Sequence, residues 1–320
     1  MHVTQRVPGA LTLLLAVLWS SATPSARDSP GVVTHPYVGI TLIERTLSTP
    51  RQAHLHIAQV DLRAPGIRVA VSPPAGGRET VREGTLSALT RLNAQLAVNG
   101  QFFLPFPSDD SEAWVIGLAA SEGRVYSAFE SPGQSFAILR DAPALNIDRA
   151  NHGRIVHRRR GGGDRRVVER VTLWNAVAGS AQIVTDGRVS VPIYRDAAHP
   201  QGALTPGLNG RYANDHSWYE VVTSRTVAGL SRQGRILTLA AVEGKGGIEG
   251  LTPAEIAALL IRDYGVWNAI NLDGGGSTTM AWRDPDNDEP ALLNTPQDAT
   301  AGGRAVANSL LVFARRPAVK

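Results

Sequence analysis

Residues 268–280 read NAINLDGGGSTTM, and the interpretation of the whole chain starts from this stretch. The apolar residues before Asp273 are typical of a buried strand, and the Asp-Gly pair predicts the end of that strand. Gly274, Gly275 and Gly276 tolerate positive φ, so their amides can converge on an anion. Asp273 would then act beside that anion as an acid, base, nucleophile or metal ligand. A simple glycine turn with a capping aspartate fits the same spacing, which alone does not decide between the two.

The segment upstream predicts a strand–helix–strand unit that leads into this turn. Residues 235–242 have the alternation of a strand, which ends at Glu243-Gly244-Lys245. Residues 252–255 form a capping box with proline at the first helical position, and the apolar spacing that follows predicts a helix up to Gly265. Polar groups thus collect at the ends of neighbouring strands, which favours a functional site there.

The remainder of the chain reads mainly as strands. A short helix is predicted at 85–92, and further strands are predicted at 39–43, 53–62, 95–98, 115–120, 124–126, 136–139, 171–174, 181–184 and 220–229. The predicted fold class is α+β: a mixed, largely antiparallel β-sheet with flanking helices, in a single domain. His54 and His56 share the polar face of one strand and form a pair that can bind a metal. A solvent-facing strand is the simpler interpretation, because no further ligand is implied nearby.

Composition and the N-terminus limit the class of protein. The chain has 320 residues, is 43% hydrophobic and contains no cysteine, which supports a packed core and excludes disulfides and thiolate metal sites. We interpret residues 1–26 as a signal peptide, because the apolar run 11–19 is too short to span a bilayer, although an uncleaved anchor is an alternative. Residues 27–36 are expected to be a disordered lead-in and 37–320 the domain. These features predict a secreted or periplasmic protein of a bacterial envelope, without a transmembrane span after signal removal.

The positive charge is concentrated in one segment. Residues 151–170 contain seven arginines against two acidic residues, whereas the net charge of the whole chain is +4. A patch for an anionic polymer is conceivable, but no aromatic residue is interleaved with these arginines. We therefore expect a solvated loop and no nucleic-acid partner.

Six polar motifs follow one another between about residue 95 and residue 313. They are Asn99-Gly100-Gln101-Phe102-Phe103, Ala178-Gly179-Ser180 with Thr185-Asp186-Gly187, Ser224-Arg225-Thr226, the run 268–279, Asn294-Thr295-Pro296 and 304–308. In this order and spacing the motifs resemble those of the phosphodiester glycosidase domain family. One departure is Glu243-Gly244-Lys245, which stands where the family usually has Asp-Gly-Arg. Lysine lacks the bidentate fork that arginine offers to a phosphate.

The resemblance implies an exported hydrolase that cleaves a sugar-1-phosphodiester in a glycan or cell-envelope polymer. Asp273 is expected to be the principal carboxylate, Glu243 its partner and Arg225 the group that holds the phosphate. Substrate binding is expected to involve Asn99, Gly100, Gly274, Gly275, Gly276, Ser277, Thr278, Asn294 and Arg304. Asn99 and Asn294 would either bind sugar hydroxyls or orient the carboxylates.

Two alternatives stay open at the level of sequence. Asp273, Asn99 and Glu243 could instead coordinate a hard divalent cation, Ca²⁺ or Mg²⁺. The protein could also be a non-catalytic envelope component that binds polysaccharide or a phosphorylated polymer. A binding protein would show affinity without product, which separates it from the enzyme.

Overall fold

The computed structural model describes residues 31–129, 141–161, 163, 165–193, 195–202, 217–245, 247–298 and 302–318. Within these residues the helices are α1 (Thr85–Leu92), α2 (Ser217–Glu220) and α3 (Pro253–Tyr264), with one 3₁₀ turn at Gly275–Ser277. The strands, numbered along the chain, are β1 Val32–Tyr37, β2 Ile40–Leu47, β3 Ala53–Asp61, β4 Arg68–Val71, β5 Thr80–Val81, β6 Glu83–Gly84, β7 Leu96–Asn99, β8 Phe103–Leu104, β9 Glu112–Val115, β10 Ala119–Ser121, β11 Arg124–Ser127, β12 Ala144–Ile147, β13 Gly153–Val156, β14 Asn175–Ala178, β15 Ala181–Thr185, β16 Arg188–Val189, β17 Arg225–Leu230, β18 Ile236–Val242, β19 Asn268–Asn271, β20 Met280–Arg283, β21 Pro290–Leu292, β22 Ala305–Val306 and β23 Ser309–Phe313.

Two antiparallel sheets enclose the main core. The first has eight strands in the order β1-β2-β3-β18-β17-β19-β15-β16, and the second has five in the order β21-β20-β7-β23-β4. Alternation along β3 explains the arrangement: Ala58 and Val60 face the second sheet, whereas Leu55 and Ile57 face the opposite side. The predicted α+β class, with a largely antiparallel sheet in a single domain, is confirmed.

Helix α3 covers the other face of the eight-stranded sheet. The predicted capping box is present, since the Thr252 side chain accepts from the Glu255 N–H at 3.2 Å and the Glu255 carboxylate accepts from the Thr252 N–H at 2.8 Å. The helix ends at Gly265, whose φ of 64° is left-handed. Ile256 and Leu260 pack against the apolar residues of β3, β17 and β18. The helix therefore fixes the direction in which the chain enters β19 and the glycine turn.

Several predicted elements differ from the structure. Residues 32–36 belong to β1, because they pair with β2 at the sheet edge, so the lead-in is not disordered there. The strand predicted at 171–174 is wrong, since pairing with β10 and β12 begins only at Asn175. β17 begins at Arg225 instead of residue 220, because residues 217–220 form α2.

Some predictions concern residues that lie outside the described ranges, namely the signal peptide and the strand at 136–139. In the part of the chain that the structure describes, no helix is long and apolar enough to cross a membrane. The described part of the arginine-rich segment folds back on itself, with the Arg159 N–H donating to the Arg166 carbonyl at 2.8 Å. Most of its arginines are exposed, as expected for a solvated loop.

Candidate active site

The strand ends singled out in the sequence meet at one edge of the eight-stranded sheet. Arg225 opens β17 and pairs with Val242, the last residue of β18, so Glu243 leaves the sheet beside it. On the other side, Val227 pairs with Asn271, which brings Asp273 level with the start of β17. The Asp273 N–H donates to the Gly100 carbonyl at 3.0 Å, and this bond brings in the end of β7. The predicted gathering of these groups is therefore what the fold produces.

Asn99 fixes the backbone of this edge. Its amide nitrogen donates to the Asp273 carbonyl at 2.7 Å, and its amide oxygen accepts from the Thr226 hydroxyl at 2.6 Å and the Thr279 N–H at 3.1 Å. Both ends of the buried amide are thus satisfied inside the protein. The geometry makes Asn99 a positioning residue and leaves it no lone pair directed at a cation or a sugar hydroxyl.

The glycine turn differs from the expected cradle of three free amides. The Gly274 N–H donates to the Asp273 carboxylate at 2.9 Å, and the Gly275 N–H donates to the Ser224 carbonyl at 3.0 Å. Of the three glycines only Gly275 has positive φ, at 59°. A Cβ at Gly276 would lie 2.2 Å from Nη2 of Arg304, so a side chain there would displace the guanidinium. The turn therefore serves mainly to bring the Asp273 carboxylate and an arginine together.

Asp273 is an acid in an unusual environment. Its residue surface is 7% exposed, and burial raises the pKa of its carboxyl to about 7. A hydrogen bond with the Ser277 side chain, the charge of Arg304 and the Gly274 N–H act in the opposite direction without cancelling the rise. A pKa close to neutral lets one side chain both donate and accept a proton at physiological pH.

Arg304 is the cation beside this acid. Its Nη1 donates to the Ser277 hydroxyl at 3.1 Å, and its Nε donates to the Asp298 carboxylate at 2.8 Å. The guanidinium also lies over the Phe106 ring, 4.8 Å from the ring centroid. Asp298, which sequence reasoning missed, holds the arginine in place. Its position just after the Asn-Thr-Pro motif was the one available signal.

A second carboxylate, Glu243, lies in a different environment. One of its oxygens accepts from the Thr295 N–H at 2.7 Å and lies 3.1 Å from Nε2 of His56. The other oxygen lies 3.4 Å from Nδ1 of His54. Burial alone would raise the pKa of Glu243, but the hydrogen bonds from His56 and Thr295 and the two nearby imidazoles hold it below its ordinary value.

The expectation that both histidines of β3 face solvent is wrong for His56, which is 6% exposed. Glu243 is the third polar group beside these histidines, and the sequence did not reveal it because 187 residues separate it from His56 in the chain. Strand pairing brings them together, since Val242 lies opposite Leu55 in the register of β18 and β3.

Residues 294–298, which we call the linking segment, contact both the cluster around Asp273 and the cluster around Glu243. Thr295 donates to Glu243, the Gln297 side chain accepts from the Ser224 hydroxyl at 2.6 Å, and Asp298 holds Arg304. Asn294 anchors the segment: its amide oxygen accepts from the Met280 N–H at 2.6 Å, and its nitrogen donates to the Thr278 carbonyl at 3.1 Å. Like Asn99, Asn294 is a positioning residue in this geometry.

Two further residues that the sequence predicts for the site are Arg225 and Thr278. Arg225 is 1% exposed; its Nε donates to the Leu251 carbonyl at 3.2 Å and its Nη2 to the Val221 carbonyl, and burial lowers its pKa to about 10. Among the described residues Arg225 has no carboxylate partner. The Thr278 hydroxyl is buried and has no hydrogen-bond partner within the described ranges.

The chain was then compared with known proteins. The model of the phosphodiester glycosidase family matches residues 92–313. Among solved structures, the catalytic domain of zebrafish N-acetylglucosamine-1-phosphodiester alpha-N-acetylglucosaminidase is 20% identical with a TM-score of 0.59, over 91% of this chain and 86% of that one. A hypothetical protein from Synechocystis is 15% identical with a TM-score of 0.55, over 91% of this chain and 65% of that one.

A protein from Burkholderia pseudomallei K96243 that is described as exported is 16% identical with a TM-score of 0.53, over 82% of this chain and 74% of that one. At these identities the three structures show the shared fold alone. A comparison with curated proteins gave no match. The family model covers more than half of the chain and includes the strand ends that form the candidate site. The chain therefore belongs to the phosphodiester glycosidase family.

Proposed function

We propose that this protein hydrolyses a sugar-1-phosphodiester, with Asp273 as its acid. The observation that carries the proposal is the buried Asp273 carboxyl with a pKa of about 7, in contact with the Ser277 hydroxyl and beside the Arg304 guanidinium. A proton donor, a hydroxyl and a cation at one point are what a departing phosphate requires. Membership of the phosphodiester glycosidase family supports the same reaction class.

The chemistry breaks the bond between the anomeric carbon and the phosphate oxygen. Protonated Asp273 donates to that oxygen as it leaves, and water adds its hydroxyl to the anomeric carbon through an oxocarbenium-like transition state. A phosphomonoester has a second pKa of about 6, so an acid of similar pKa is well matched to this leaving group. The products are a free sugar and a phosphomonoester.

The phosphate is assigned to Arg304, Ser277 and Thr278 in place of Arg225. Arg304 and Ser277 contact each other beside Asp273, and the neighbouring Thr278 hydroxyl has no hydrogen-bond partner among the described residues. Arg225 instead donates to the carbonyls of Val221, which precedes β17, and Leu251, which precedes α3. These bonds hold the two segments together. The role of Arg225 in this proposal is to position β17.

Glu243 is the partner carboxylate. Its two oxygens are held by Thr295 and the histidines of β3, which keeps the group ionised at neutral pH. The negative charge offsets the positive charge that develops on the sugar ring, and the carboxylate can take the proton of the attacking water. Two carboxyls with opposite protonation states divide the acid and base work between them.

The substrate class that we propose is a glycan or cell-envelope polymer joined through sugar-1-phosphate. Lys245, at the position where an arginine is usual in the family, donates to the Pro296 carbonyl at 3.4 Å and so contacts the linking segment. This difference would change how the remainder of the substrate is held. The apolar run at 11–19 supports export of the protein, which would place it where such polymers occur.

A panel of sugar-1-phosphodiesters tests the proposal. Wild-type protein is expected to release sugar and phosphomonoester from at least one member, and Asp273→Asn to release neither while retaining its fold by circular dichroism. Asp61→Asn, an exposed acid at the end of β3, is the matched control and should remain active. Binding of substrates by the wild type without product would contradict the proposal and would identify a non-catalytic binding protein instead.

A further inference from the structure

His54, His56 and Glu243 form a compact cluster of metal-binding side chains. The two histidines are separated by one residue on β3, so they lie on the same face, and Glu243 follows β18 on the neighbouring strand. One candidate ligand atom from each residue lies within 4.8 Å of the other two. The imidazole–carboxylate separations are 3.1 Å for His56 and 3.4 Å for His54.

The two separations, each to a different oxygen of Glu243, are close to those between the ligand atoms of a tetrahedral ion. With metal–ligand bonds of about 2.0–2.1 Å, neighbouring ligand atoms of a tetrahedral zinc site lie about 3.3–3.4 Å apart. The ring centroids of the two histidines are 4.6 Å apart, and the rings are tilted by 60°. Both rings therefore turn a nitrogen towards one carboxylate without stacking on each other.

The surroundings of the cluster resemble the outer shell of a metal site. Nε2 of His54, the nitrogen that faces away from Glu243, lies 3.0 Å from the Glu44 carboxylate. Glu243 itself is oriented by the Thr295 N–H at 2.7 Å. Metal-binding histidines usually bond their second nitrogen to a carboxylate or carbonyl, which fixes the ring and its tautomer. Glu44 of β2, His54 of β3 and Glu243, which follows β18, thus already form a carboxylate–histidine–carboxylate series.

The donor set selects the class of metal. Two imidazole nitrogens and one carboxylate suit Zn²⁺ and similar borderline ions, whereas Ca²⁺ and Mg²⁺ prefer ligands that are all oxygen. The set expected from the sequence for a hard cation, Asp273, Asn99 and Glu243, fails on Asn99, because both ends of its amide are bonded within the protein. We infer that His54, His56 and Glu243 bind one Zn²⁺ ion, with the fourth position left to water or substrate.

The inference shares Glu243 with the proposed reaction, but Asp273, Ser277 and Arg304 are not among the ligands, so Zn²⁺ binding can be measured separately from hydrolysis. It is tested on tag-free full-length protein that has been stripped with a chelator. Isothermal titration with Zn²⁺ and metal analysis after dialysis should both give one ion per chain. Ca²⁺ and Mg²⁺ should give no binding that competes with Zn²⁺.

Variants assign the ion to the cluster. His54→Gln with His56→Gln should weaken Zn²⁺ binding by at least about 100-fold, and Glu44→Gln by about tenfold. His152→Gln is the matched control, since His152 forms an exposed pair with Asp148 in a different turn, and it should bind as the wild type does. X-ray absorption at the zinc edge should show two imidazoles and oxygen ligands. Absence of tight Zn²⁺ binding, or wild-type binding by a folded double variant, would overturn the inference.

If the double variant does not fold, Glu44→Gln decides the question, because its exposed side chain is not needed for the core. An unchanged affinity in Glu44→Gln together with a zinc-edge spectrum without imidazole would also overturn it. Wild-type protein that hydrolyses a substrate but does not bind Zn²⁺ would refute this inference alone. Wild-type protein that binds Zn²⁺ but hydrolyses no substrate would refute the proposed function alone.

Discussion

The two carboxylates at this sheet edge show how the same chemical group acquires opposite properties from its neighbours. Asp273 and Glu243 both follow a buried strand, and both are almost completely buried. The pKa of Asp273 rises to about 7, whereas that of Glu243 falls below its ordinary value. The difference lies in compensation: hydrogen bonds and two imidazoles offset the burial of Glu243, whereas Ser277, Arg304 and Gly274 only partly offset the burial of Asp273.

The contrast explains why one edge can supply both an acid and a base. Neither carboxylate contributes to the shift in the pKa of the other, so each environment is built locally. The linking segment contacts both environments, through Thr295 at Glu243 and through Asp298 at Arg304. Changes confined to one cluster should therefore leave the protonation of the other unchanged.

The largest effect is expected from Asp273→Asn. Loss of the proton donor should lower kcat on a sugar-1-phosphodiester by about 1,000-fold, within the range of general acid catalysis. Steady-state kinetics with the Asp61→Asn control checks this. Glu243→Gln should lower kcat by a smaller factor, because it leaves the acid in place. Equal activity of Asp273→Asn and the wild type would remove Asp273 from the mechanism.

Substitution of Arg304 should change the pKa of Asp273 and leave that of Glu243 unchanged. Arg304→Gln should lower kcat/KM by about 100-fold through loss of a donor to the phosphate. Because the charge of Arg304 lowers the pKa of Asp273, its removal should move the alkaline limb of the pH–rate profile to higher pH. Arg304→Lys keeps the charge and should leave that limb near its wild-type position. A limb that moves to lower pH in Arg304→Gln would refute the assignment.

Stability should also report the raised pKa of Asp273. Its folded-state pKa of about 7 exceeds the ordinary value of 3.8, so between these values the folded state binds more protons than the unfolded state. The free energy of unfolding should therefore fall as pH rises from about 4 to about 7, by on the order of 3 kcal/mol from this group. Asp273→Asn should lack that loss and be more stable than the wild type above pH 7. Denaturant titrations at pH 4.5 and 8 measure the difference, and a less stable Asp273→Asn at pH 8 would contradict the sign.

Arg225 is expected to give the smallest effect. Arg225→Lys loses hydrogen bonds to the carbonyls of Leu251 and Val221 and should lower the free energy of unfolding by about 1–3 kcal/mol. The pH–rate profile should keep its shape, because Arg225 does not influence the pKa of Asp273. A large fall in kcat at unchanged stability would instead restore Arg225 as the group that holds the phosphate.

Much of the fold could be predicted from short stretches of the sequence. The capping box at Thr252, the glycine after α3 and the strand that enters Asp273 are short-range patterns, and each has its expected structure. The strand predicted at 171–174 failed because its place is set by partners distant in the chain. Pairing with β10 and β12 begins at Asn175, and no local pattern marks that start.

The candidate site was less predictable for the same reason. Its members could be found as polar residues at strand ends, but their environments depend on contacts across the chain. His56 is buried and contacts Glu243, which is 187 residues away in the chain. Asn99 and Asn294 look like ligands in the sequence, yet their amides are used to hold the backbone around Asp273 and Thr278.

The protonation state of Asp273 is open to observation by carbon NMR of protein labelled at the aspartate carboxyl carbons. One carboxyl should titrate near pH 7, its signal should be missing from Asp273→Asn, and the other carboxyl signals should be unchanged in that variant. If every aspartate carboxyl titrates below about pH 5, close to the ordinary value of about 3.9, Asp273 is ionised at neutral pH and cannot be the acid that we propose.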